Sequence, residues 1–316
     1  MTVTQLEDPF HEGEIEVQQR LGSREKVAIF GPRLIRPTLI DQHREFYAQL
    51  PFLVLGSLDA EGRPWASIVT GQPGFLSTPD EVTLDVAAMP TLGDPLADNL
   101  KIGSDIGVVG LQLETRRRNR LSGRIASLRE DGFSIRVQQS FGNCPQYIQT
   151  REVSLLDRSK PQVIKLDRFD AKVEKMLAAA DTLFIATGFR DDQEANNQGA
   201  DASHRGGKPG FIKVDGPGSL IFPDFKGNNI YNTIGNLAVN PRAGLLVPDF
   251  STGDLVSMTG HADVIWDGPQ VEAFQGAQRL IRLNAEEVIR IEGGMAMTSR
   301  FLEYAPQLER TGAWNE

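Results

Sequence analysis

Cysteine is almost absent from this chain of 316 residues: Cys144 is the only one, so no disulfide can form within the chain. A lone cysteine is typical of proteins that work in a reducing compartment, and we expect a cytoplasmic protein. The first sixteen residues are acidic and polar and lack the basic and apolar segments of a signal peptide. No run approaches the roughly 18 consecutive apolar residues of a membrane-spanning helix, which predicts no membrane partner.

An excess of positive charge is also missing. The chain has 33 lysine and arginine residues against 42 aspartate and glutamate residues, and its formal net charge is −9. General affinity for nucleic acid depends on a basic face, so this balance predicts no nucleic-acid partner but leaves room for a local basic pocket. The four histidines form no cluster with the spacing of metal ligands, and His11 with Glu14 is too sparse, so we predict no metal site.

The second half of the chain repeats a pattern of the first half. Four pairs of segments match at one offset of 137 residues: Asn119–Ala126 with Val256–Asp263, Asn99-Leu100 with Asn236-Leu237, Gly107–Val109 with Gly244–Leu246, and Leu84 with Ile221. A fixed offset across several apolar strands is typical of duplicated domains. Two copies of a fold can share an interface, and small molecules often bind at such interfaces.

Short strands, turn signals and few helices predict a mainly β (α+β) fold in which β-barrels carry a helical cover. We expect an irregular N-terminal extension over residues 1–36, a first copy over 37–157, a second copy over 158–300 and a tail over 301–316. Arg158–Pro161 is the predicted linker. Helical periodicity predicts helices over Pro37–Leu50, Leu96–Ile102, Asp170–Asp181 and Ile230–Val239, and a polar insertion is expected over 190–207.

Two polar segments of the second half have the residue types of an anion site. Ala202–Phe211 is glycine-rich and carries Arg205 and Lys208, and glycines let backbone amides approach an anion closely. Leu220–Asn229 ends a strand in a polar turn, ahead of a helix whose N-terminus suits a phosphate. The alternative interpretation is a solvated loop capped by asparagines, because glycine, asparagine and serine are common in turns.

Two segments of the first half are further candidates. In Thr115–Arg120 the side chains of Arg116, Arg118 and Arg120 share one face of a strand, which suits an anion such as a cofactor phosphate. The alternative is a solvated edge strand whose charges prevent aggregation. Ser140–Gln149 follows the last strand of the first copy and has no counterpart in the second, which indicates a role that one copy performs alone.

The hairpin turn of the first copy allows two interpretations. Gly62–Ser67 can match Gly207–Pro209 of the second copy as an anion loop, or it can be an ordinary hairpin with a core tryptophan, Trp65. His43 lies on the apolar side of its helix, and we expect a core histidine whose polar atoms are satisfied.

Several of these segments together resemble the FMN-binding split-barrel family related to pyridoxamine 5'-phosphate oxidase. The resemblance spans roughly residues 170–292, and the first copy resembles the family more loosely. It is carried, in the family's order of strand, polar turn, short helix and Asn-Pro, by Gly207–Phe211, Leu220–Asn229, Asn236–Arg242 and Gly260–Ala262. The resemblance implies two tandem split β-barrels with short covering helices, packed as an internal pseudo-dimer that holds FMN between the barrels.

The resemblance also implies roles for individual residues. The residues expected to bind FMN are Ser203, Arg205, Lys208, Lys213, Phe222, Pro223, Asp224, Asn228, Asn229 and Thr233. The residues expected on the substrate side are Arg118, Arg120, Asn143, Cys144 and Tyr147, the last three in a turn that is similar to one in many split-barrel flavoproteins. The oxidase has an arginine where this chain has Lys208, and its substrate-binding arginine and histidine are absent from the tail. Pyridoxamine phosphate is therefore not the expected substrate.

The resemblance implies an FMN-dependent oxidoreductase that transfers hydride between a reduced donor, such as NADH or NADPH, and a small organic acceptor or oxygen. One alternative is a flavin- or haem-binding carrier or sensor without turnover, in which His204 or His261 would bind the iron. Another is a partner-binding module whose first copy has lost its cofactor. The family's homodimers suggest that two chains associate, although an internal duplication can replace that association.

Overall fold

Antiparallel strands and a few short helices build the chain in the computed structural model, which describes residues 8–157, 160–191 and 195–314. The prediction of a mainly β fold is confirmed. The first half contains α1 (Glu12–Arg20), α2 (Arg24–Leu34), α3 (Asp41–Ala48), β1 (Phe52–Leu58), β2 (Pro64–Thr70), β3 (Leu76–Ser77), β4 (Thr83–Val86), α4 (Leu96–Asn99), β5 (Asp105–Gln112), β6 (Arg117–Arg129) and β7 (Gly132–Asn143).

Strand β8 (Thr150–Leu155) follows β7 and precedes the second half. The elements after it are β9 (Gln162–Leu166), α5 (Ala171–Ala179), β10 (Thr182–Phe189), β11 (Gly199–Gly206), β12 (Lys213–Gly216), β13 (Ser219–Asp224), α6 (Asn232–Val239), β14 (Arg242–Asp249), β15 (Asp254–Ile265), α7 (Pro269–Glu272), β16 (Arg279–Glu292), β17 (Met297–Glu303) and a 3₁₀ turn at Pro306–Arg310. The four predicted helices coincide with α3, α4, α5 and α6, each shorter at its ends than the periodicity suggests.

Both large sheets have the same strand order. The first runs β2-β1-β5-β6-β7-β4-β3, and the second runs β11-β10-β14-β15-β16-β13-β12, with β9 added alongside β16. Adding nine to each strand number of the first order gives the second order. The two halves therefore have equivalent topology, as the repeated offset in the sequence predicts.

The strand registers show that the two halves are equivalent residue by residue. Gly107 lies opposite Ser122, and Gly244 lies opposite Thr259, so both pairs keep the offset of 137 residues. The amides of Asn99 and Asn236 make matching hydrogen bonds, to the hydroxyls of Ser57 and Thr187 at 2.9 and 3.0 Å. This second match places each short helix, α4 and α6, on the same strand of its own sheet.

Two of the predicted correspondences are wrong. Leu84 pairs with Ile135, and the equivalent position opposite Leu283 is Leu220, one residue before Ile221. Both apolar side chains at Leu220 and Ile221 are buried, so hydrophobicity alone does not distinguish the two registers.

The second correction concerns the anion loop. The counterpart of Gly207–Phe211 is Gly71–Phe75, because the amides of Gly71 and Gly207 bond the carbonyls of Pro51 and Asp181 in the same way. Gly62–Ser67 instead forms an ordinary hairpin. Trp65 is 2 % exposed and donates from Nε1 to Asp59 Oδ2 at 3.0 Å, as the core-tryptophan interpretation predicts.

Each half has its own apolar core, and a third core is shared between them. The shared core brings Phe52 and Trp65 of the first half against Phe184 and Leu246 of the second. Glycine permits close backbone contact across this interface: a Cβ on Gly107 would lie 2.5 Å from the backbone of Asp201 in the other half. A Cβ at the equivalent Gly244 would lie 2.3 Å from the carbonyl oxygen of Pro64.

The prediction of an irregular N-terminal extension is wrong, because α1 and α2 are regular helices. Helix α1 lacks a usual N-cap residue and has no strong apolar periodicity. Its cap is His11, whose side chain accepts from the Gly13 amide while Glu14 accepts from the His11 amide. Gly13 lies against Gly235 of α6, so tertiary packing stabilises a helix that the local pattern does not indicate.

The other differences lie at the connections. Part of the predicted polar insertion is β11, which pairs with β10 along its whole length. Strands β8 and β17 form a separate two-stranded sheet, and neither was expected. In the linker, Arg158 and Ser159 lie outside the described residues. The tail packs back on the second half, where Trp314 Nε1 donates to the Phe211 carbonyl at 3.0 Å.

Candidate functional site

A cleft between the two halves gathers most of the polar residues singled out in the sequence. It holds about 730 Å³ of empty space, part of which is open to solvent. Its lining residues are Arg118, Arg120, Asn143, Cys144, Tyr147, Ser203, His204, Arg205, Gly206, Asp224, Phe225, Lys226, Gly227, Asn228, Asn229, Tyr231, Asn232, Thr233 and Ile234. One wall comes from β6 and the segment after β7, and the other from β11, the end of β13 and the start of α6.

The arginine strand β6 forms the wall of the first half. Arg118 and Arg120 are 8 % and 5 % exposed and share one face of the strand, as alternation predicts. Arg116 lies before the strand with a φ of 57° and pairs with Glu303 instead. Since β6 lies between β5 and β7, the interpretation of these arginines as a solvated edge strand is wrong.

Arg118 is a buried cation without a carboxylate partner. Its Nη2 donates to the carbonyl oxygen of Cys144 at 2.7 Å, and its Nη1 lies 3.2 Å from Nδ1 of His204. Among the described residues no carboxylate lies within ion-pair distance of this guanidinium, and its Nε has no hydrogen-bond partner. Burial lowers the pKa of Arg118 to about 10, and Arg120 and Arg205 act in the same direction.

The neighbouring arginines each have a carboxylate partner. Arg120 forms an ion pair with Asp201, and its Nη1 donates to Asn232 Oδ1 at 3.1 Å. Arg205 Nε donates to Asp224 Oδ1 at 3.0 Å. The other oxygen of Asp224 accepts from Arg279 at 3.1 Å. Of the described cations that line the cleft, Arg118 and the exposed Lys226 are therefore the ones without a carboxylate partner, while Arg205 and Arg279 share Asp224.

His204 is a neutral, buried histidine that lines the cleft. Burial lowers its pKa well below the usual value, and the charges of Arg118 and Arg205 lower it further. Because the Arg118 guanidinium can only donate, Nδ1 of His204 is the acceptor and Nε2 carries the proton. That Nε2 has no hydrogen-bond partner in the described part of the chain.

The wall of the second half contains the N-terminus of α6. Tyr231 precedes the helix with a φ of 65°, and Thr233 Oγ1 lies 3.0 Å from Ser203 Oγ on β11. Helix α6 has no side-chain cap, and the amides of its first turn have no acceptor in the part of the chain that the structure describes. Free amides and the helix dipole make this end of α6 electropositive.

Contacts between the halves close one rim of the cleft. Tyr147 stacks on Phe225 with ring centroids 5.0 Å apart, and Asn228 Nδ2 donates to Asn143 Oδ1 at 3.1 Å. Tyr147, Asn229 and Tyr231 have φ values of 63°, 64° and 65°, a conformation that costs free energy in residues other than glycine. Such backbone strain is concentrated at functional sites in proteins.

Most of the predicted site residues lie in this cleft, but a few do not. The predicted residues that line it are Arg118, Arg120, Asn143, Cys144, Tyr147, Ser203, Arg205, Asp224, Asn228, Asn229 and Thr233. Phe222 and Pro223 are buried within β13 and do not line it. Lys208 lies in the turn after β11, and Lys213 places its Nζ over the ring of Trp314 at 5.3 Å from the centroid.

The histidines fall into different environments. His261 is about half exposed, lies 3.2 Å from Asp263 and does not line the cleft. His43 is buried and its Nδ1 lies 3.0 Å from Ser140 Oγ, as predicted for a core histidine. Phe225, Lys226 and Tyr231 line the cleft without having been assigned a role. The only feature of the sequence that could have indicated a role for them is their position between β13 and α6. The shape of this loop depends on the left-handed backbone at Tyr231, which the sequence does not predict.

Comparisons with known proteins find little. No family model matches the chain, and no curated protein matches it in sequence. A putative pyridoxamine 5'-phosphate oxidase from Lactobacillus delbrueckii has a TM-score of 0.31 and 15% identity, over 39% of this chain and 94% of that one. An FAD-binding protein from Mesorhizobium loti has a TM-score of 0.26 and 13% identity, over 41% and 97%. HutZ, the haem storage protein from Vibrio cholerae, has a TM-score of 0.25 and 15% identity, over 33% and 95%.

At such TM-scores these similarities carry no argument about function, which has to be argued from the cleft. Two observations on the described residues accompany them. Within the described ranges, no group of three or more histidine, cysteine, aspartate or glutamate side chains is placed to hold a metal ion. None of the described helices is long and apolar enough to cross a membrane.

Proposed function

We propose that the cleft binds FMN and that the protein is an FMN-dependent oxidoreductase. One observation carries the proposal: Arg118 is buried in the cleft without a carboxylate partner, next to a neutral histidine and within the same cavity as a free helix N-terminus. An uncompensated buried cation is costly unless an anion joins it. The group that binds here therefore carries negative charge.

A phosphate fits the second-half wall. The amides at the start of α6, together with the hydroxyls of Ser203 and Thr233, are donors of the kind that hold phosphate at helix N-termini. Lys226 and Arg205 add positive charge to the same cavity. The side-chain amides along the loop before α6 supply donors and acceptors for a polyhydroxyl chain.

A planar aromatic group fits the remainder of the cleft. Phe225, Tyr147 and Tyr231 line it, and aromatic side chains are typical of the walls of small-molecule sites. A ligand with a phosphate, a polar chain and a flat ring matches this sequence of surroundings. FMN has these three parts in that order.

The residues around Arg118 suit a redox cofactor that becomes more negative when reduced. Bound flavin supplies hydride and electron transfer. Arg118 and the Nε2–H of His204 are buried donors, and hydrogen bonds from buried donors to developing negative charge are strong. Since burial keeps the pKa of His204 low, its donor does not change with pH in the neutral range.

The same geometry disfavours haem. Iron binding through Nε2 of His204 requires a proton on Nδ1, where Arg118 instead donates its own hydrogen. His261 lies outside the cleft and is exposed. A flavin carrier without turnover is the alternative. The cleft supports flavin binding equally well for both functions and does not distinguish between them at the redox step.

The shared strand order supports a wider proposal about the fold. Two tandem split β-barrels, over residues 37–157 and 158–300, would arise by duplication and pack as an internal pseudo-dimer around the FMN site. A nicotinamide donor, NADH or NADPH, would approach from the open side of the cleft.

Absorption spectroscopy tests the proposal. The purified protein is titrated with FMN and then mixed with NADH or NADPH, with and without oxygen. Binding followed by reduction and turnover supports an oxidoreductase, and binding without reduction supports the carrier. A Soret band or tight haemin binding in place of FMN overturns the flavin proposal, as does the absence of binding. Arg118→Met in the cleft is the test variant, and Arg129→Met at an exposed ion pair is its matched control.

A further inference from the structure

The two halves of the chain provide an internal comparison for the anion position. Ser67 lies opposite Leu55 on β1, and Ser203 lies opposite Ile185 on β10. Leu55 and Ile185 occupy the same place in their sheets, because they lie opposite Val108 and Leu245, which are 137 residues apart. Ser67 and Ser203 are therefore equivalent residues of the two halves.

In the first half a carboxylate of the chain itself fills the space beside this serine. Asp94 is 3 % exposed, and its Oδ1 accepts from Ser67 Oγ at 2.5 Å and from the amide of Leu96 at 2.9 Å. Leu96 is the first residue of α4. The carboxylate thus lies between a strand hydroxyl and the first amide of the following helix.

In the second half no carboxylate of the described residues accepts from the equivalent helix amide, and Glu14 bonds only the side-chain amide of Asn232 there. At the offset of 137 residues, Tyr231 stands in the place of Asp94 and Thr233 in the place of Leu96. No acceptor for the Thr233 amide lies among the described residues. Asp201 reaches Ser203 Oγ at 3.3 Å from the strand side, but its charge is compensated by Arg120.

The cations of the cleft also belong to one half-site only. Arg118 and Arg120 of the first half correspond to the uncharged Leu255 and Ser257 of the second. Arg120 is 5 % exposed, pairs with Asp201 and bonds Asn232 at the start of α6, and its Nε has no hydrogen-bond partner among the described residues.

The equivalent cleft on the other side of the interface is small and uncharged. It holds about 300 Å³ of empty space and is lined by Ile68, Val69, Thr70, Met89, Thr91, Gly293, Gly294 and Ala296. Its Ile68 and Val69 take the places that His204 and Arg205 have in the open cleft. The donors that suit an anion are therefore present on one side alone.

We infer that the phosphate of the ligand lies between Ser203, the Thr233 amide and Arg120, in the position that the Asp94 carboxylate fills in the other half, so that each chain binds one ligand. The inference rests on the proposed FMN site for the identity of the phosphate carrier. It adds the location of the phosphate and the stoichiometry, neither of which follows from the presence of a flavin.

Two equivalent serines provide a matched test. FMN and riboflavin, which lacks the phosphate, are titrated into wild type, Ser203→Ala and Ser67→Ala by isothermal calorimetry and flavin fluorescence. We expect one FMN per chain, and a Kd for FMN that rises about 10-fold in Ser203→Ala while the Kd for riboflavin is unchanged. Ser67→Ala leaves both affinities unchanged and lowers the Tm, because Asp94 loses a hydrogen bond.

The outcomes separate this inference from the proposed function. If neither flavin binds wild type, the proposed function fails first. If both bind and Ser203→Ala weakens them equally, or not at all, or if two FMN bind per chain, the flavin site stands and the inference is overturned. If thermal unfolding shows that Ser203→Ala is not folded, Thr233→Val, which removes the second hydroxyl, serves as the test. It should lower the affinity for FMN and not that for riboflavin.

Discussion

Arg118 donates a hydrogen bond from Nη1 to Nδ1 of His204 across the boundary between the two halves, over a distance of 3.2 Å. The contact joins a buried cation to a buried neutral ring, so it leaves the charge of the guanidinium uncompensated. Arg118 therefore costs the protein stability unless an anion is bound, as is usual for residues that are retained for binding.

Replacing Arg118 by methionine should separate stability from binding. Arg118→Met removes a buried charge and keeps most of the side-chain volume, so we expect a Tm equal to or above that of wild type without ligand. The Kd for FMN should rise about 10- to 100-fold, because hydrogen bonds to charged groups contribute about 1.5–3 kcal/mol. Arg129→Met, at an exposed pair with Asp85, should change neither quantity appreciably. A lower Tm together with unchanged affinity would contradict this account.

Asp224 should be essential for stability. It accepts hydrogen bonds from Arg205 and from Arg279, and Arg279 is 2 % exposed. Asp224→Asn leaves the buried Arg279 without its counter-ion, so the free energy of unfolding in urea should fall by about 3–5 kcal/mol. The control is Asp41→Asn, whose carboxylate is 92% exposed in its pair with Arg44 and should contribute under about 1 kcal/mol. Equal effects of the two changes would refute the prediction.

Glu14 should make stability depend on pH. Burial is the main cause that raises its pKa from 4.5 to about 8. The folded protein holds this proton more tightly than the unfolded chain, so the contribution to stability is complete below about pH 4.5 and is lost as the pH rises towards 8. Thermal unfolding at pH 5 and pH 8 should show a smaller loss of Tm in Glu14→Gln than in wild type. A loss of the same size in both proteins would count against a protonated Glu14.

The two halves lie so close together at Gly107 and Gly244 that neither position should accommodate a methyl group. Gly107→Ala and Gly244→Ala each place a Cβ within 2.5 Å of backbone atoms of the opposite half. Backbone cannot move aside as a side chain can, so both variants should unfold at lower temperature and bind FMN less tightly. Gly218→Ala is the matched control, because its Cβ would meet only the Ala285 carbonyl oxygen at 3.7 Å. If both interface variants had the Tm of wild type, the halves could move apart here without loss of stability, and the prediction would be wrong.

The parts of the fold that the sequence predicts are those with a local signal that repeats. The equal offset at Asn99 and Asn236 predicts the common topology, because both amides make the same strand contact. Alternation along β6 predicts that Arg118 and Arg120 share a face. The register at Leu84 is not predictable in this way, since Leu220 and Ile221 are both apolar and both buried.

The parts that the sequence does not predict depend on contacts between distant segments. Helix α1 is stabilised through Gly13 against Gly235, more than two hundred residues away, and its own pattern is weak. Lys213 resembles an anion ligand by charge and position, but it lies over Trp314 of the tail. Which residues form the cleft depends on how one half lies on the other, and composition carries no record of that.

The shared topology with unequal clefts has a consequence for how this protein can change over generations. In a symmetric homodimer one gene encodes both walls, so every substitution appears in both sites at once. Here Arg118 and its counterpart Leu255 are separate codons, and so are Ser203 and Ser67. A mutation that changes the open cleft therefore leaves the smaller cleft, and the buried Asp94 of the first half, unchanged as structural supports.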